Sequence, residues 1–86
     1  MSLNTYRDEA GQFLETIHAT NEPVEKKIMM LQHELDILKA NLHDKKVISH
    51  QVNDLLFLLF EIASQFNADL DSEWLAGQSR KQKKYL

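Results

Sequence analysis

The chain has no cysteine, which excludes a disulfide framework, a zinc ribbon and a thiol nucleophile. It has only two glycines and one proline. That is too little turn punctuation for a β-sandwich or a run of hairpins, and it leaves no Gly-rich loop to cradle a phosphate. The longest uninterrupted apolar run, Leu55–Phe60, is far short of the roughly 18 residues a membrane span needs. No basic-then-apolar segment marks a signal peptide, so a cytoplasmic location is the expectation. What remains is 86 residues that are 43% hydrophobic and 27% charged, the balance of a folded domain rather than a disordered one. A chain this small buries only about 60–65% of its unfolded surface and gains stability by association, so a dimer or tetramer is expected.

Helical periodicity runs through nearly all of it and predicts a single all-α domain over 1–86, with helices at about 4–19, 23–43, 49–66 and 70–84. In the first helix Tyr6, Ala10, Phe13, Leu14 and Ile17 share a face, with Asn4 as the expected cap. Asn21 and Pro23 mark the expected start of the second. There Val24, Ile28, Leu31, Leu35, Leu38 and Leu42 repeat at 4-3-4-3-4, a coiled-coil-like seam. His43 to Lys46 reads as a short polar connection, and short connections join antiparallel neighbours. The third helix is apolar nearly all round and must be covered on several sides, so it is the expected centre of packing and of any subunit interface. Asp69 is the expected cap of the last helix, with Asp71 and Glu73 at its positive dipole end.

Function is sought among polar residues that sit where packing wants apolar ones. Gln32, His33 and Asp36 share one face of the second helix and flank its leucine seam. Gln51 and Asp54 sit on the third helix, with His50 one turn before Asp54. A buried unpaired carboxylate costs several kcal/mol, so Asp54 needs a cation, a donor or a water-filled cleft. Each residue alone has an ordinary reading: a solvated flank for Asp36, a surface or interface position for His33 and His50, plain helix formers for Gln32 and Gln51. Two such clusters on neighbouring helices raise the chemical reading, because carboxylates facing each other across a bundle hold hard divalent cations.

The segments Leu31-Gln32-His33-Glu34-Leu35-Asp36 and Gln51-Val52-Asn53-Asp54-Leu55-Leu56-Phe57 resemble the acidic helices of MazG-like all-α nucleotide pyrophosphohydrolases. Phe66-Asn67-Ala68-Asp69-Leu70-Asp71 and the basic Arg80–Lys84 stretch look like that family's last turn and closing segment, so the resemblance covers roughly residues 24 to 85. It implies a four-helix, MazG-like antiparallel bundle that oligomerises. It also implies metal-dependent hydrolysis of a nucleoside triphosphate to a nucleotide monophosphate and pyrophosphate. Carried over, the family's acidic positions fall on Gln32, His33, Asp36, Gln51 and Asp54, of which two are carboxylates. Asp36, Asp54 and His33 are then the candidate metal ligands for magnesium or manganese. Gln32, His33 and Gln51 are the candidate catalytic or orienting groups. Glu34 is expected to turn away from that face, and Glu61 to reach the cleft from two turns beyond Asp54.

With so few acids left, weak or lost activity is part of the expectation. The alternative is a non-catalytic oligomeric helical module for binding or assembly, in which the polar groups fix register. Arg80, Lys81, Lys83 and Lys84 hold four of the ten positive charges. The thirteen acidic residues all precede them, so the body repels a nucleic-acid backbone and no such partner is expected. Cations at a helix C-terminus complement its dipole.

Overall fold

The structure, a computed structural model, describes residues 2–86. Four helices follow one another: α1 (Leu3–Thr16), α2 (Val24–Ala40), α3 (Lys45–Gln65) and α4 (Leu70–Tyr85). Among the described residues there is no strand, so the all-α reading holds.

The helix starts show which polar side chains do local work. Ser2, not Asn4, caps α1, its Oγ accepting the Thr5 N–H at 3.2 Å. Asn4 instead ties α1 to α4: its Oδ1 accepts the Leu70 N–H at 2.8 Å and its Nδ2 donates to Asp69 Oδ1 at 3.0 Å. Asp69 caps α4 as expected by accepting the Ser72 N–H. Asn21 does not cap α2, which starts directly after Pro23 without a side-chain cap. The polar run before α3 is shorter than it reads. Asp44 accepts the N–H groups of Lys46 and Val47, so α3 begins four residues before Ser49. α1 and α3 both end in a left-handed residue, His18 (φ 56) and Asn67 (φ 50). The following Ala19 and Ala68 reach back to the carbonyls of Leu14 and Ala63 at 2.8 and 2.9 Å. These closures end α1 at Thr16, three residues short of the expected 19.

α1 and α2 both pack on α3, and α4 packs on α1. Ala10, Leu14, Ala19, Leu58 and Ala63 are the buried hydrophobic residues among those described, a thin core dominated by small side chains. The accessible surface is 6686 Å². A compact monomer of this mass would expose about 5,200 Å², so about 1,400 Å² lies in excess. The radius of gyration, 14.7 Å, likewise exceeds the about 12 Å expected of a globule of this length. No described helix is long and apolar enough to cross a membrane.

Candidate functional site

The polar chemistry of the fold concentrates between α2 and α3. The stripe of α2 that meets α3 carries Lys27 and Glu34, seven residues and two turns apart. Lys27 is only 3% exposed and Glu61 of α3 only 5%. The Lys27 ammonium lies 3.3 Å from Glu61 Oε1 and 3.7 Å from Glu22 Oε2. A buried ammonium is tolerable only when it is paired in this way, because desolvation of either charge alone costs several kcal/mol. Glu22 also accepts from Lys26 at 3.0 Å, and that hydrogen bond, with the charges of Lys26 and Lys27, holds its carboxyl below the usual range.

At one end of the layer an amide meets a carboxylate. Gln51, 4% exposed, donates from Nε2 to Glu34 Oε2 at 2.6 Å and to the Glu34 carbonyl at 3.2 Å. At the other end Gln65 Nε2 donates to the Glu22 carbonyl at 2.9 Å, while its buried Oε1 has no partner.

The residues singled out from sequence separate in space. Gln32, His33 and Asp36 are all exposed on α2. Gln51 is buried in the layer just described. Asp54 is half-buried and its carboxylate lies 3.1 Å from Nε2 of His50, one turn back. It lines an open hollow of about 390 Å³ with Glu34 and Glu61, walled by Phe13, Met30 and Phe57. Asp36 is not among the residues of that hollow. The α2 acid that shares a cleft with Asp54 is therefore Glu34, the residue expected to turn away. Among the described residues no group of three or more His, Cys, Asp or Glu side chains stands close enough to hold a metal ion. The donor set does not fit a divalent cation: Glu61 is neutralised by Lys27, Glu34 is engaged by Gln51, and Asp54 is paired with His50.

The leucine seam reads as the inner face of α2, which would put its flanks, Gln32, His33 and Asp36, at the cleft. The actual contact is rotated by roughly 70° toward Lys27 and Glu34. A signal was present: Lys27 to Glu34 and Asp54 to Glu61 are both heptad spacings of ionisable residues, each stripe facing the other helix.

Two other regions have the look of sites. An apolar hollow of about 420 Å³ between α1 and α3 is lined by Tyr6, Leu56, Phe57 and Phe60, with Glu9 and Asn53 among its polar lining. Tyr6 stacks near Phe60 at 5.8 Å, and Phe13 meets Phe57 edge-on at 5.5 Å. The basic end of α4 is solvated: Arg80 pairs with Glu73 at 3.2 Å, and Lys84 lies over the Tyr85 ring. Comparison with known proteins adds no relative: no family model, no curated protein and no solved structure matches the chain.

Proposed function

We propose that this chain is a MazG-like helical subunit in which the metal chemistry of a nucleotide pyrophosphohydrolase is lost, and that it serves as a non-catalytic oligomeric module for binding or assembly. One observation carries the reading. The carboxylates between α2 and α3 are already engaged within the fold, Glu61 by the Lys27 ammonium and Glu34 by a hydrogen bond from the Gln51 amide. A hydrolase of the resembled family needs free carboxylates there to charge-balance a cation and activate water. The antiparallel packing and self-association implied by the resemblance are supported by the excess surface and by the order of the α2–α3 contacts, in which 27 meets 61 and 34 meets 51.

A second reading, metal-dependent nucleotide hydrolysis, has one observation in its favour: Glu34, Asp54 and Glu61 open into the same hollow. Calorimetric titration with Mg²⁺, Mn²⁺ and Zn²⁺, followed by a pyrophosphate-release assay over a nucleotide panel, separates the two. The expected result is no saturable metal binding and no release. Metal-dependent release that disappears in Asp54→Asn would overturn the first reading and establish the second.

A further inference from the structure

Two hollows of this fold adjoin. The one of about 390 Å³ that Asp54 lines and the one of about 420 Å³ between α1 and α3 share Asn53 and Phe57 in their walls. The first is acidic. Glu34, Asp54 and Glu61 each engage one carboxylate oxygen inside the fold, with Gln51, His50 and Lys27 in turn. Among the described residues nothing donates to the second oxygen of each, Glu34 Oε1, Asp54 Oδ1 or Glu61 Oε2. Nor are these oxygens shut away from solvent, because Gln65 Oε1 is the one fully buried side-chain polar atom without a partner among the described residues. Glu61 is only 5% exposed, so the little surface it keeps is what it presents to the hollow. The second hollow is apolar, with the rings of Tyr6, Phe57 and Phe60 in its wall. Among the described residues no Lys, Arg or His lines either hollow.

We infer that the joined hollows bind a small organic cation with an aromatic body, its ammonium among the open oxygens of Glu34, Asp54 and Glu61 and its ring against Tyr6, Phe57 and Phe60. The inference rests on the binding half of the proposed function and names the ligand class. Charge decides the sign. One ammonium, that of Lys27, stands against three carboxylates, so the wall stays negative and repels a phosphate or carboxylate ligand. A metal ion is the wrong cation, because the carboxylates do not converge closely enough to hold one, and Mg²⁺ gives up its water reluctantly. An alkylammonium has three donors and bridges oxygens that stand apart. Aromatic faces attract it as well, which suits a site whose acidic and aromatic parts meet at Phe57. A neutral apolar molecule would fill the aromatic part and leave the three open oxygens unmatched. Both volumes fall in the range of small-molecule sites, about 300–1,000 Å³.

Three compounds test it. Phenylbutylamine carries both features, phenylbutanol lacks the charge and butylamine lacks the ring. Each is titrated into isotope-labelled full-length protein while NMR follows the backbone amides of Asn53, Phe57 and Glu61. Phenylbutylamine is expected to shift all three saturably, and the other two compounds to bind about tenfold more weakly. Asp54→Asn and Glu34→Gln are each expected to weaken phenylbutylamine about threefold or more and to leave phenylbutanol unchanged. Tyr6→Ala is expected to weaken both phenyl compounds and to leave butylamine unchanged. The comparison of compounds on the wild type decides the matter if a variant fails to fold. Phenylbutanol or butylamine binding as tightly as phenylbutylamine would overturn the inference, as would no saturable shift with any of the three, and either result leaves the loss of metal chemistry standing. Mg²⁺ that displaced phenylbutylamine from these amides would instead remove the reading on which the inference rests.

Discussion

α3 meets its two neighbours by opposite means. Toward α1 it uses small and apolar residues: Ala63 belongs to the same thin core as Ala10 and Leu14, Phe57 meets Phe13 edge-on, and Gly11 lies so close to Ser64 that a side chain there would collide with the serine hydroxyl. Toward α2 it uses charge and amide groups: Glu61 on Lys27, and Gln51 on Glu34. The apolar contact supplies burial, which is non-directional and tolerates sliding. The polar contact adds little net free energy but admits few alternatives, because a shift by one residue leaves a buried charge unpaired. Labour is divided accordingly: α1–α3 stabilises and α2–α3 sets rotation and register.

Substitutions at the two contacts of α3, and one at the α1–α4 junction, test this contrast. The largest effect is expected from Leu14→Ala, which empties the most buried large side chain of the α1 side and should cost about 3–4 kcal/mol in urea unfolding. Lys27→Met should cost about 3 kcal/mol by stranding Glu61 in the interior. The double variant Lys27→Met with Glu61→Leu should return to within about 1 kcal/mol of the wild type, since an apolar pair replaces a desolvated ion pair. A double variant as unstable as the single one would show that Lys27 acts through something other than its charge.

Gly11→Ala is smaller, because two terms oppose each other. Alanine gains about 1 kcal/mol of helix propensity, and the new methyl group presses on Ser64. A net loss of about 1 kcal/mol is expected, shrinking or reversing in a Ser64→Ala background, where the colliding hydroxyl is gone. The smallest effect lies at the α1–α4 junction and depends on pH. The Asn4 amide, with the N–H and hydroxyl of Ser72, holds the Asp69 carboxyl below its ordinary value of 3.8. A lowered folded-state pKa means that this stabilisation is complete above the ordinary value and fades as the pH falls through the lowered one. Melting curves at pH 7 and pH 3 should therefore show a smaller acid-induced drop in Tm for Asp69→Asn than for the wild type.

Much of the fold was legible in the sequence. The 3.6-residue period located four helices, and the Asp69 cap and the Asn67–Ala68 turn were plain. Boundaries were less so. Asp44 reads as part of a polar connection, although a carboxylate two and three residues before available N–H groups starts a helix as readily as it decorates a loop. Asn4 looked like a cap for its own helix and turned out to serve α4, a contact 66 residues away that no local rule reaches. Of the residues put forward for chemistry, Gln51 and Asp54 lie at the α2–α3 interface, while Gln32, His33 and Asp36 face solvent. Buried Lys27 and half-buried Glu34 do not read as contact residues of α2, because charged side chains are rarely buried without partners and these partners are on another helix.

Backbone period and capping chemistry are local, so the helical class, the place of most helices and the apolar stripe of α2 follow from residue order alone. The rotation of α2 against α3 was decided only in three dimensions. Two stripes on α2 lie roughly 70° apart, the leucine seam and the Lys27–Glu34 pair, and both are consistent with its period. Choosing between them took the ion pair with Glu61 and the amide of Gln51, groups that meet α2 only once the chain has folded.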